Sequence, residues 1–124
     1  MVLSKFIIMN RDNFIRELES LLISRNFIKS DNVYSYKQIQ QRPGRSISIN
    51  GQMIQEPPQE IQIEFIIKDN GEGWVSNTDD TNKQYFTQLK YEIHQNNEIV
   101  KEIEYCLYHD TIINEENILN LFNK

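Results

Sequence analysis

The chain of 124 residues has no alanine, one cysteine, three prolines, four glycines and two histidines. A lone cysteine, Cys106, excludes an internal disulfide, which points to a reducing, cytoplasmic setting and away from a stapled secreted scaffold. No apolar run is long enough to cross a bilayer. Phe6 to Met9 is the nearest approach, and it lacks a small-residue cleavage site, so we expect a buried strand or the lead-in to a helix, no targeting segment and no membrane contact. The missing alanine, set against 19 isoleucines and 14 asparagines, reads as codon bias of an AT-rich genome and bears on source rather than function. Asn and Gln are scattered without a low-complexity tract, and no internal repeat is present.

The same scarcity removes most chemistry. With four glycines there is no GxxxxGK or GxGxxG phosphate loop. No HxH, HxxxH or CxxC spacing offers converging metal ligands, and Asp69-Asn70-Gly71-Glu72-Gly73 lacks the acidic spacing of a calcium loop. No cofactor is implied. Cys106 with His94 or His109 is the one Cys/His pairing, and a structural cysteine is the expectation, because a nucleophile needs a base and an orienting group within hydrogen-bond reach. Asp79-Asp80 and Glu115-Glu116 read as a solvated loop and a helix start. No catalytic residue is nominated.

What is present leads us to expect a single α+β domain over residues 1–124. Its expected order is an N-terminal helix, an antiparallel meander-like sheet of five or six strands, and a short C-terminal helix. Phe14, Ile15, Leu18, Leu21 and Leu22 recur at helical spacing, giving a helix over 11–25 with Asn10 or Asp12 at its start and Asn26 at its end. A first strand is expected over 32–41. Asn50-Gly51 then marks a two-residue type I′ hairpin, which sets Ile49 against Gln52, Ile47 against Ile54 and Arg45 against Glu56. One face of that ribbon is apolar, with an expected Arg45–Glu56 ion pair at its root. Pro43 and Pro57-Pro58 bound it, so it is expected either to project as an arm or to fold back on the sheet. Ile61, Ile63, Phe65 and Ile67 alternate along a strand over 60–68, followed by an expected turn at Asp69-Asn70-Gly71, a short return strand at Trp74-Val75 and a polar loop over 76–82. A hairpin joins 83–94 to 98–108. A three-residue loop, Gln95 to Asn97, is expected because it sets Ile93 against Ile99 and Leu89 against Ile103. Asn114 caps a last helix near 114–123, where Glu115 and Glu116 suit the positive end of its dipole.

Residues 1–55 carry eight Lys/Arg against four Asp/Glu, and residues 56–124 carry five against fourteen. The expected function is a non-catalytic binding module: a small acidic inhibitor of the immunity-protein kind, or an adaptor, that masks a partner's surface. An acidic face suits a basic partner such as a nuclease, because opposite potentials steer association. The nominated contacts are Arg45, Ile47, Ile49 and Ile54 of the ribbon, Trp74 and the acidic groups of residues 98–116. A homodimer through residues 45–56 is the competing use of the ribbon. Two other readings stand beside these. One is a small-ligand or nucleotide sensor with Arg42 or Arg45 meeting an anion. The other is a single-stranded nucleic-acid surface of Tyr34, Tyr36, Lys37 and Arg42, which three cations on an acidic chain support least.

Overall fold

The computed structural model describes residues 11–76 and 83–124. Helix α1 spans Arg11–Ser24 and buries Phe14, Leu18 and Leu22 completely, as its three- to four-residue apolar spacing requires. Asn26 closes it at a left-handed φ of 69°, and the N–H of Phe27 donates to Leu22 O at 2.9 Å. The expected cap at Asn10, the apolar run Phe6 to Met9 and residues 77–82 of the expected loop lie outside the described residues.

The strands are β1 (Ile28–Ser30), β2 (Val33–Arg42), β3 (Ser46–Ile49), β4 (Gln52–Gln55), β5 (Gln59–Ser76), β6 (Lys83–Gln95) and β7 (Glu98–Tyr108). Five of them form one antiparallel sheet in the order β1-β2-β5-β6-β7, and β3-β4 is a separate two-stranded sheet. Helix α2 (Glu115–Ile118) runs into a 3-10 turn over Leu119–Asn123. Asn114 caps α2, its side chain accepting from the N–H of Asn117 at 2.8 Å. This is the expected α+β order, a helix, a meander and a short closing helix, with the β3-β4 hairpin inserted between β2 and β5.

Register explains why one face of the sheet holds the core. Tyr34 pairs with Ile67, Ile67 with Tyr91 and Tyr91 with Ile103, so one row of large side chains crosses four strands on the same face. There α1 brings Phe14, Leu18 and Leu22, and the C-terminal segment brings Ile118, Leu121 and Phe122. The opposite face carries Lys68, Lys90, Glu92 and His94 in neighbouring rows.

Four local expectations need correction. The chain enters the sheet earlier than 32–41. Asp31, at a φ of 54°, turns β1 back onto β2, pairing Ser30 with Val33. Asp69-Asn70-Gly71 is not a turn. Gly71 takes a φ of 105°, so the positive-φ signal is real, but it makes a bulge in which two residues oppose Gln88 and β5 runs on. Trp74 and Val75 therefore start no return strand. They continue β5 and pair with Tyr85 and Gln84. Finally, the loop between β6 and β7 has two residues, Asn96 and Asn97, with φ of 50° and 69°. A bulge at Val100 then shifts the register, setting Tyr91 against Ile103 and Leu89 against Tyr105. The face parity that the apolar pattern demands is supplied by the bulge and not by an odd loop.

Candidate functional site

The β3-β4 hairpin adopts the expected register: Ile49 faces Gln52 and Ile47 faces Ile54 across the Asn50-Gly51 turn. The ladder reaches one pair further, because the N–H of Glu56 donates to Arg45 O at 2.8 Å. The same register links β2 to β5, where Arg42 pairs with Gln59. Residues 33 to 68 are thus one long hairpin, interrupted only where Pro43-Gly44 faces Pro57-Pro58 and the prolines supply no N–H. Gly44 is required at this junction. A Cβ there would stand 1.8 Å from Glu56 O and 2.9 Å from Pro57 O.

Beyond the junction the ribbon is an arm open on both faces. Ile49 and Ile54 are 49% and 45% exposed, and Met53, on the other face, is 73% exposed. Ser46, Ser48 and Gln55 are exposed too, and Ile47 is half-buried. Strand alternation places Ile39, itself exposed, in line with Ile47 and Ile49 on the face of the ribbon opposite to the core face. The expected Arg45–Glu56 ion pair does not form; their connection is the backbone bond.

The other nominated residues, Arg42 aside, are not brought to the arm. Trp74 is 52% exposed near the far end of β5, up to about 50 Å from Gln59 at ~3.3 Å per residue. Lys83 Nζ sits 4.3 Å above its ring, and its cross-strand neighbour Tyr85 is also exposed. Arg42 is exposed at the arm's root. Tyr34 is core, 2% exposed, with its hydroxyl donating to Glu19 Oε1 at 3.4 Å, so no base can stack on it in this fold. Tyr36 lies half-buried between Phe27 and Phe65, with ring centroids 5.6 Å and 6.4 Å away.

Two polar clusters escaped sequence reasoning. The first joins α1 to the end of the sheet. Arg11 donates to Asp69 Oδ2 at 2.6 Å and to Thr87 Oγ1 at 3.0 Å, and Thr87 Oγ1 lies 2.8 Å from His109 Nε2. Thr87 and His109 are buried. A hydroxyl and an imidazole at this distance resemble a nucleophile and its base, but no substrate reaches a fully buried Thr87. Burial holds His109 below its ordinary value, the charge of Glu72 opposes that, Arg11 adds to the lowering, and Asp110 opposes it. The second cluster centres on Glu92, 2% exposed, which meets Lys68 at 3.0 Å, Lys90 at 3.7 Å and His94 at 2.7 Å. Lys68 and Lys90 face each other directly across β5 and β6, a repulsive pairing that the carboxylate between them neutralises. Nothing in the spacing of Arg11, Thr87 and His109 signals the first cluster. The even positions Lys68, Lys90 and Glu92 do mark one strand face of the second.

A cleft of about 520 Å³ lies between the end of α1 and the closing 3-10 turn, floored by Phe27, Tyr36, Phe65 and Phe122. Arg25, ion-paired with Glu115, stands at its mouth, and Arg42 and Arg45 do not line it. Cys106 is exposed in mid-strand, and no cluster of three metal-ligating side chains exists among the described residues. No helix among the described residues is long and apolar enough to cross a membrane. No family model matches the chain, and neither a curated protein nor a solved structure is significantly similar to it.

Proposed function

We propose that this chain is a non-catalytic protein-binding module, an inhibitor of the immunity-protein kind or an adaptor, that covers a protein surface with its β3-β4 arm. One observation carries the reading: the arm keeps Ile49, Ile54 and Met53 about half exposed or more among the described residues, on two faces of a ribbon separate from the main sheet. Full burial of such a side chain is worth about 1.5–3 kcal/mol, so each has roughly half of that still to gain in a complex. A two-stranded ribbon alone is marginal in water, and a partner supplies the missing layer. Exposed carboxylates of Glu98, Glu104, Asp110 and Glu116 favour a basic partner, whose association then weakens as salt rises.

Photo-crosslinking tests this. A benzoyl-phenylalanine at position 54, irradiated in cells that make the protein, should give a protein adduct. The same group at exposed Glu116 is the control. Absence of any adduct at position 54 rejects the arm as a contact surface. A second reading, a small-ligand sensor, is favoured by the aromatic cleft, where Arg25 would meet an anion. A nucleotide panel that leaves the melting temperature unmoved removes it.

A further inference from the structure

We infer that the surface the arm covers is the arm of a second copy, lying parallel to it, face on face, about a two-fold axis that runs along the arm. This rests on the arm being a protein contact, and it takes the competing use of the ribbon, which leaves the exposed carboxylates of Glu98, Glu104, Asp110 and Glu116 as the surface for a basic partner.

The observation behind it is a sorting of charge by strand. On the isoleucine face, register sets Lys37 against Glu64, Gln41 against Glu60 and, through the backbone bond, Arg45 against Glu56. In these pairs the cations stand on the β2-β3 side and the anions on the β4-β5 side; Lys68, on the same face of β5 further from the arm, is paired with Glu92. None of Lys37, Arg45, Glu56, Glu60 or Glu64 forms an ion pair among the described residues. Between the charged edges run Ile47, Ile54 and Ile49. The face is therefore a ribbon with one positive edge, one negative edge and an apolar strip.

Only one two-fold operation satisfies all three features. An axis along the arm exchanges its edges, so Arg45 of each copy lies over Glu56 of the other, and Ile47 of each lies over Ile54 of the other. That is the self-complementarity an isologous interface demands. An axis across the arm lays tip on root and sets Arg45 and Glu56 against the uncharged Ile49-Gln52 pair. An axis perpendicular to the ribbon joins like-charged edges. The junction at Pro43-Gly44 and Pro57-Pro58 sets the arm off from the main sheet as a separate two-stranded sheet. The arm offers less than the roughly 800 Å² per partner of a standard interface, so the dimer is weak and measurement must reach about millimolar protein.

Charge exchange tests the geometry. Sedimentation equilibrium is run on wild type, Arg45→Glu, Glu56→Arg and the double variant, with circular dichroism as the check of folding. Both sites lie outside the core, and Arg45→Gln with Glu56→Gln provides a milder pair. Wild type should self-associate. Each single reversal makes two repulsions by symmetry and should raise the dissociation constant at least about tenfold. The double variant should recover, because its edges are exchanged but still complementary. An equimolar mixture of the two single variants should form mixed dimers although each alone is monomeric. Monomeric wild type, singles that associate like wild type, or a double variant and mixture that fail to recover overturns the inference. The position-54 adduct separates the two claims. With purified protein at about millimolar concentration an adduct of twice the chain mass supports both, an adduct with another protein in cells and none between purified copies removes the second copy and keeps the contact surface, and no adduct under either condition removes both.

Discussion

Lowering the pH through 6.5 should destabilise this fold, and the buried ring of His109 should carry the effect. Thr87 Oγ1 accepts from Arg11 and shares a second hydrogen bond with His109 Nε2, which ties the buried ring to α1 through the hydroxyl. A second proton places an imidazolium in a buried site within the field of the Arg11 guanidinium. The folded ring therefore titrates below its ordinary value, chiefly through burial, whereas the unfolded ring titrates near 6.5.

The sign follows. Between those two values the unfolded chain holds the extra proton, so stability rises with pH there. The contribution is complete above about 6.5 and is lost as pH falls below it, with a slope approaching about 1.4 kcal/mol per unit until the native ring also titrates. Urea unfolding followed by far-UV circular dichroism at pH 7.5, 6.5 and 5.5 measures it. His109→Gln keeps a polar group opposite Thr87 but cannot titrate. It should be less stable than wild type at pH 7.5 and show a flatter pH dependence. Equal slopes in the two proteins, or a wild type more stable at pH 5.5 than at 7.5, would refute the reasoning.

Other substitutions probe other parts of the fold. Tyr91 buries its hydroxyl with no hydrogen-bond partner among the described residues. Tyr91→Phe should therefore raise stability by about 1 kcal/mol and the melting temperature by about 3 °C, and a lower melting temperature rejects the claim. Glu92→Ala leaves Lys68 facing Lys90 and should cost about 3 kcal/mol in denaturant unfolding at neutral pH. Burial pushes the Glu92 carboxyl up, but hydrogen bonds from His94 and Lys68 and their charges outweigh it, so its pKa lies below the usual 4.5. Its contribution is complete above that pH and fades as acid carries the solution below it. An unchanged unfolding free energy in Glu92→Ala would contradict the network. Gly44→Ala forces a Cβ into the Glu56 carbonyl and should shift the amide resonances of residues 45–56, leaving the core's resonances in place; an unperturbed arm would show that the junction is not held there.

The sheet was legible where local chemistry and face parity agree. Asn50-Gly51 fixes a turn type, the turn type fixes a register, and that register holds from the tip of the arm to Val33. Parity was legible between β6 and β7 as well, but its means was not. Two asparagines at positive φ make the tight turn, and Val100 restores the faces by bulging outward. Asp69-Asn70-Gly71 shows the same ambiguity from the other side. A positive-φ residue serves a turn and a bulge equally well, and the choice is made by distant partners: Asn32 Nδ2 on Asp69 O, and Arg11 on Asp69 Oδ2. The Arg11-Thr87-His109 chain unites residues that no spacing relates, since α1, β6 and the exit of β7 meet only after the sheet forms.

Exposure of the arm was the part of the site that no pattern could reveal. Alternation shows that Ile47, Ile49 and Ile54 share a face, but that face looks the same whether it covers its own sheet, a second copy or another protein. What decides is the junction. Two strands that stay in one register need no new nucleation beyond it, so the arm continues the ladder of β2 and β5. The prolines on both sides remove donors there, and the Gly44 backbone is pressed against that of Glu56 and Pro57. Continuity holds the arm in register, and the break makes it a sheet of its own. An element so placed keeps its hydrogen bonds while leaving its isoleucines about half in water. The free energy still to be gained by covering them is not taken up by any of the described residues.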